Sequence, residues 1–200
     1  MFRNLIRTTS LASLLTVTLL QGAIAADPAT VPEGKRTALG LYLTPAEAHQ
    51  RMESAGARTL FVDVRSRAEL QFVGVPASVD ANVPYMDFTE FSEFDETRGH
   101  YRLDPNLGFV DEVTARLIKK GLSKSDMVIL ICRSGSRSAR AVDVLAKAGF
   151  TKVYSVPEGF EGDTAKSGPH RGHRVVNGWK NRNLPWGYRL KPTQLSKVIF

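Results

Sequence analysis

Apolar residues recur along this chain with two different periods. Short apolar runs stand at 59–64 and 127–131, and more mixed stretches at 79–83 and 152–156 are plausible further strands. Runs of that length, rich in Val, Ile and Phe, predict strands buried on both faces of a parallel sheet. Residues 39–43 are a candidate first strand. The other pattern repeats every three and four residues. Phe109, Val113 and Leu117, with Val110 and Ile118, form one apolar face. Asp111 and Glu112 lie in its first turn, Lys119 and Lys120 in its last, and Gly121 closes it. That charge order suits a helix macrodipole. Thr44-Pro45-Ala46-Glu47 offers a Thr N-cap, Pro at the first position and Glu at the third, and predicts a helix to about Ser54. His49 is expected on its surface. Ser66-Arg67-Ala68-Glu69 is a second capping box and opens a short helix, with a turn at 73–76. Residues 139–148 have helical spacing and end at Gly149. The order β-α-β-α-β-α-β-α-β predicts an α/β fold, a central and mostly parallel sheet with helices on both faces. Ligands of such sheets gather at the carboxyl ends of the strands. Cys132 and Asp63 both fall there.

Three stretches do not follow either period. Residues 85–106 are aromatic and acidic through Phe88, Phe91, Phe94, Asp95 and Glu96, then basic at Arg98 and Arg102. They read as an amphipathic turn or short helix followed by a loop. The favoured role is a surface insertion whose aromatics patch the core; the alternative is a lid whose basic residues face an anion site. Residues 163–176 read as a long loop, after which Trp179, Leu184, Pro185 and Trp186 pack the C-terminal end onto the sheet. The third stretch is the N-terminus. Arg3 and Arg7 precede an apolar run at 11–20, and Ala23-Ile24-Ala25 is a small-x-small cleavage signal. Residues 1–25 therefore read as a secretory signal peptide, short of the ~20 apolar residues of a membrane span. Periplasmic localisation is the expectation. Residues 26–37, with Pro28, Pro32 and Gly34, read as a flexible mature N-terminus, 38–190 as the folded domain, and 191–200 as a basic tail.

Composition adds bounds. The chain has 200 residues, 42% hydrophobic and 24% charged, the balance of a globular protein with its own core. No later stretch is apolar enough to span a bilayer, so no membrane partner is expected once the signal is removed. The net charge of +7 is uneven. No acidic residue follows Asp163, while Lys166, Arg171, Arg174, Lys180, Arg182, Arg189, Lys191 and Lys197 do. A basic surface concentrates small anions. Nucleic acid is not an expected partner for an exported protein. His170 and His173 lack Cys or carboxylate companions, so no metal site is expected.

Candidate chemistry centres on residues 132–138, C-R-S-G-S-R-S, set between the apolar run 127–131 and a helix. A strand, a tight loop of small residues and a helix N-terminus make a cradle of backbone N–H groups with positive potential. Cys132, the single cysteine, would lie at its centre. A lone Cys is otherwise a buried small hydrophobe. Here Arg133 and Arg137 favour its thiolate, the nucleophilic form. Arg137 follows as Cys-x4-Arg, with Ser138 where a phosphatase loop of the form Cys-x5-Arg carries its arginine. The shorter cradle suits a sulfur atom on the cysteine better than a phosphoryl group.

These motifs resemble the rhodanese family of single-domain sulfurtransferases over about residues 40–187. C-R-S-G-S-R-S is similar to the family's active-site loop, Asp63-Val64-Arg65 with Glu69 to its D-x-R…E motif, and Gly159-Phe160, Asn177-Gly178-Trp179 and Leu184-Pro185 to its C-terminal pattern. The usual His of G-H-I-P-G-A is absent from Val73-Gly74-Val75-Pro76-Ala77-Ser78, and 85–106 and 163–176 look inserted. The resemblance implies a rhodanese-like three-layer fold and persulfide chemistry. Cys132 takes sulfur from a small anionic donor such as thiosulfate and gives it to a thiol or cyanide. The N–H groups of Arg133, Ser134, Gly135, Ser136, Arg137 and Ser138 hold the persulfide, as an oxyanion hole holds its anion. Arg133 and Arg137 bind the donor, with Arg137 also bracing the loop; Ser138 caps the helix. Asp63 and Arg65 fix the loop rather than touch substrate. No metal or organic cofactor is implied. Two other readings stay open: a persulfide carrier that hands sulfur to a protein acceptor without turnover, and, disfavoured by loop length, a phosphatase or arsenate reductase.

Overall fold

The computed structural model describes residues 27–196, so the expected signal peptide lies outside the described residues. In chain order the elements are α1 (Pro45–Ala55), β1 (Thr59–Asp63), α2 (Arg67–Val73), β2 (Val75–Pro76), β3 (Ala81–Asn82), β4 (Met86–Asp87), β5 (Phe94–Asp95), β6 (His100–Tyr101), β7 (Asp104–Pro105), α3 (Phe109–Lys119), β8 (Met127–Ile131), α4 (Ser136–Lys147), β9 (Val153–Ser155) and β10 (Trp186–Gly187). The central sheet has the order β3-β1-β8-β9 and is parallel throughout. Its longest register runs from Thr59 opposite Met127 to Asp63 opposite Ile131. The expected first strand at 39–43 contracts to one parallel bridge, Tyr42 to Ser155.

Alternation along the strands divides the core in two. Leu60, Val62, Val128 and Leu130 meet Phe109, Val113 and Leu117 of α3 and Val142 and Leu145 of α4. Phe61, Ile129 and Ile131 meet Ala48 of α1, Leu70 of α2 and the distant Trp179. The sheet is thus covered on both faces, as the unbroken apolar runs require. Both predicted capping boxes are present, Thr44 with Glu47 and Ser66 with Glu69. Ile118 is exposed, because one residue beyond Leu117 turns it off the buried face of α3. His49 is not a simple surface residue: it is half-buried with its ring edge-on to Trp179, centroids 5.8 Å apart. The turn expected at 73–76 includes β2, which pairs antiparallel with β10 and ties the C-terminal region to the domain. Residues 27–36, expected to be flexible, hold two 3-10 turns, bury Val31 and pair Lys35 with Asp163 at 2.7 Å.

Residues 85–106 correct the sequence reading most. They form nested antiparallel pairs, β4 with β7 and β5 with β6, a two-tiered hairpin with no helical turn. Polar side chains close each tier. Asp104 accepts from the hydroxyls of Thr89 and Ser92, both at 2.6 Å. Asp95 accepts from the Arg98 N–H and from Arg102. Of its aromatics only Tyr85 patches the core, edge-on to Phe109 at 5.4 Å, while Phe91, Phe94 and Tyr101 are all more than half exposed.

Trp179 is fully buried against Phe61, and its indole N–H donates to the Pro185 carbonyl at 3.0 Å. Trp179→Ala is expected to cost about 3–5 kcal/mol of stability, read as a lowered urea midpoint with little change in slope.

Candidate active site

The strand β8 delivers Cys132 one residue past its end, at the carboxyl edge of the sheet. α4 begins at Ser136, earlier than the apolar spacing from 139 predicts. Polar Ser136, Arg137 and Ser138 hide the helix start from a hydrophobicity pattern. The connection is therefore very tight, and the first turn of α4 is itself part of the cradle. Its N–H groups have no carbonyl partners within the helix, and no acceptor among the described residues takes the protons of Ser136, Arg137 or Ser138.

Backbone contacts on the outer side force this shape. Gly135 sits at φ 96, where an added Cβ would lie 2.1 Å from the Pro157 carbonyl oxygen. A Cβ on Gly159 would lie 2.5 Å from the Arg133 backbone. Phe160 and Glu161 then donate their N–H groups to the carbonyls of Cys132 and Arg133, at 2.8 and 2.9 Å. The carbonyls of Cys132 and Arg133 are held outward, while the Gly135 N–H turns inward to Cys132 Sγ.

Cys132 is 1% exposed. Its Sγ accepts the Gly135 N–H at 3.1 Å, and its thiol donates to Ser138 Oγ at 3.5 Å. Ser138 in turn donates to the Gly135 carbonyl at 2.9 Å and meets Ser155 Oγ at 3.0 Å. Ser138 is thus not the helix cap expected from the sequence, since Gly135 holds the N-cap position and no side chain caps α4; it is a fully buried link between the thiol, the loop and β9.

The two loop arginines differ. Arg137 is mostly buried and clamped by both guanidinium nitrogens on Glu69, at 2.7 and 2.5 Å. Burial alone would raise the Glu69 carboxyl. Arg137 outweighs it, helped by the Ser66 N–H and the Arg65 charge, and holds the group at about 2 against an ordinary 4.5. Burial likewise opposes the Arg137 charge, and Glu69 more than restores it. Arg137 is a brace. Arg133 is exposed and, among the described residues, has no carboxylate partner. It faces a cleft of about 810 Å³ over the loop, shared with Ser136, Arg140, Ser66 and Glu69. The far wall of that cleft is the 85–106 hairpin, through Phe88, Phe94, Arg98, Tyr101 and Arg102. Of the two roles considered for this insertion, the structure has it facing the loop. Ser134 turns the other way, into a separate cleft with Lys35, Asp163, Arg171 and Arg174.

Asp63 and Arg65 do not line the cleft. Both are fully buried, joined by Arg65 Nη2 to Asp63 Oδ2 at 2.6 Å. Arg65 also donates to the Gly74 carbonyl and stacks 4.1 Å from the Phe160 ring centroid. The pair locks β1 to the turn that braces the loop. Sequence reasoning quoted Glu69 as a motif residue and capping partner but did not place it in the site. Its capping role accounted for it completely, so nothing called for a second function. Ser155 and Pro157 carried no signal, because they act through position alone.

The model of the rhodanese-like domain matches residues 44–166. The chain therefore belongs to the rhodanese-like domain family. It is similar to the protein RC0915 of Rickettsia conorii, 27% identical over 64% of this chain and 81% of that one. It is also similar to thiosulfate sulfurtransferase 16, chloroplastic, of Arabidopsis thaliana, 32% identical over 50% of this chain and 69% of that one. Among solved structures, Rv0390 from M. tuberculosis covers 73% of this chain and 96% of its own, with 32% identity and a TM-score of 0.53.

The depressed Glu69 carboxyl contributes stability that is present above its unfolded value of 4.5 and lost as pH falls towards 2. Partial exposure reduces the full linkage energy, leaving about 1–3 kcal/mol. Glu69→Gln is expected to lower stability by that amount at pH 7 and by little at pH 2, read by urea unfolding across the range.

Proposed function

We propose that this protein is a sulfurtransferase that moves sulfane sulfur from thiosulfate, or a similar anionic donor, to a thiophilic acceptor through a persulfide on Cys132. The observation that carries this reading is the buried Cys132 Sγ inside a ring of N–H groups one residue shorter than a phosphatase loop, already taking the Gly135 N–H. The Cys132 thiolate attacks the outer sulfur of thiosulfate. The donor's S–S bond breaks and its electron pair leaves with sulfite. The new sulfur bears the negative charge, and the N–H groups of the first turn of α4 receive it. Ser138 can turn its hydroxyl towards the anion. Cyanide or a thiol then attacks the outer sulfur and frees the thiolate, a ping-pong cycle. Arg133 draws in the donor, while Arg137 keeps the loop closed through Glu69. Asp63 and Arg65 support the loop from beneath. The N-terminal pattern at 1–25 supports placing this exchange in the periplasm.

Cys132→Ala is expected to abolish thiosulfate-to-cyanide transfer while thermal stability changes little. The Cys132 peptide of the wild type should gain one sulfur after incubation with thiosulfate. A stable adduct without turnover would instead establish the protein as a persulfide carrier. Loss of one charge-assisted contact in Arg133→Ala should raise the KM for thiosulfate about 5- to 30-fold with a smaller change in kcat. An unchanged KM would remove Arg133 from donor binding.

A further inference from the structure

We infer that the 85–106 hairpin is a specificity element, and that the donor it selects is an organic sulfane anion with an apolar body. This rests on the persulfide reading above and names the substrate class of the same site. The cleft between hairpin and loop, about 810 Å³, lies within the ~300–1,000 Å³ of sites that hold organic ligands. A five-atom inorganic anion leaves most of it to water.

The cleft is polarised. On the loop side stand Arg133 and Arg140, both exposed and, among the described residues, without carboxylate partners. On the hairpin side the charge of the two arginines is offset by two carboxylates, because Arg98 and Arg102 pair with Asp95 and Arg102 also with Glu93. What the hairpin presents instead is Phe88, Phe94 and Tyr101, exposed by 41, 52 and 59%. Phe94 and Tyr101 meet edge to face with centroids 5.4 Å apart. The polar bonds of Asp104 and Asp95 close the hairpin. Rings left facing a cleft beside a nucleophile mark a surface that gains by being covered. A fitting donor places an anionic sulfane end at the loop and a carbon body against the rings. Thiosulfonates, R–SO2–S⁻, have that form. The Cys132 thiolate bonds to the terminal sulfur, the S–S bond breaks, and the electron pair leaves with the sulfinate R–SO2⁻. No oxidant or reductant is consumed.

Benzenethiosulfonate and methanethiosulfonate test this, since they share the reacting group and differ in the apolar body. Their kcat/KM ratio in the folded protein is compared with their rate ratio against a small free thiol. The expected result is a ratio at least about tenfold above the uncatalysed one, falling to within about twofold of it in Phe94→Ala/Tyr101→Ala. Should that variant lose its folded circular dichroism spectrum, Tyr101→Ser alone must lower the ratio about threefold or more. A wild-type ratio equal to the uncatalysed one, or full preference kept in the folded variant, overturns the inference and leaves the persulfide mechanism standing. No sulfur uptake at Cys132 from any donor, thiosulfate included, overturns both.

Discussion

The structure depends on a close approach of two backbones. The turn at Pro157 to Phe160 lies so near the loop after Cys132 that neither Gly135 nor Gly159 can carry a side chain. That contact decides which way each peptide faces. With the carbonyls of Cys132 and Arg133 occupied on the outside, the N–H groups of the first turn of α4 are left without a backbone carbonyl partner, a setting that favours negative charge. The parallel sheet exists, for functional purposes, to hold the ends of β8 and β9 at this distance. Their register, Leu130 opposite Ser155, fixes it.

Two ion pairs reinforce the contact from different sides. Asp63 and Arg65 are fully buried and bind the end of β1 to the Gly74 carbonyl and the Phe160 ring. A buried pair of this kind contributes positional definition more than net stability, because each charge gives up its hydration. Glu69 and Arg137 lie at the cleft wall and hold the first turn of α4 against α2. One arginine of the loop, Arg133, thus stays exposed in the cleft, and the other, Arg137, is held on Glu69, although the sequence presents them as equivalent basic neighbours.

Much of this was legible in the sequence where one local rule governs the outcome. Apolar runs announced β1 and β8, and the capping boxes announced α1 and α2. The parts that stayed hidden depend on partners distant in sequence. Arg137 finds Glu69 across 68 positions, and each already had a local explanation. The hairpin at 85–106 was misread because its paired segments are two residues long, too short for alternation to emerge above the aromatic and acidic composition. Its ladders are closed by Asp95 and Asp104, residues that a pattern search assigns to solvent. His49 looked like a surface residue because Trp179, which half-covers it, joins the fold 130 positions later.

The depth of Cys132 has a consequence for redox chemistry between molecules. A disulfide requires two Cα atoms within about 4.4–6.8 Å. At 1% exposure, behind its own loop and a hairpin wall, this thiol cannot come that close to its counterpart in a second folded copy. A chain with a single cysteine would ordinarily risk covalent dimers wherever oxidants are present. Here the recess around Cys132 keeps out another protein's thiol, so protection against that pairing is provided by shape.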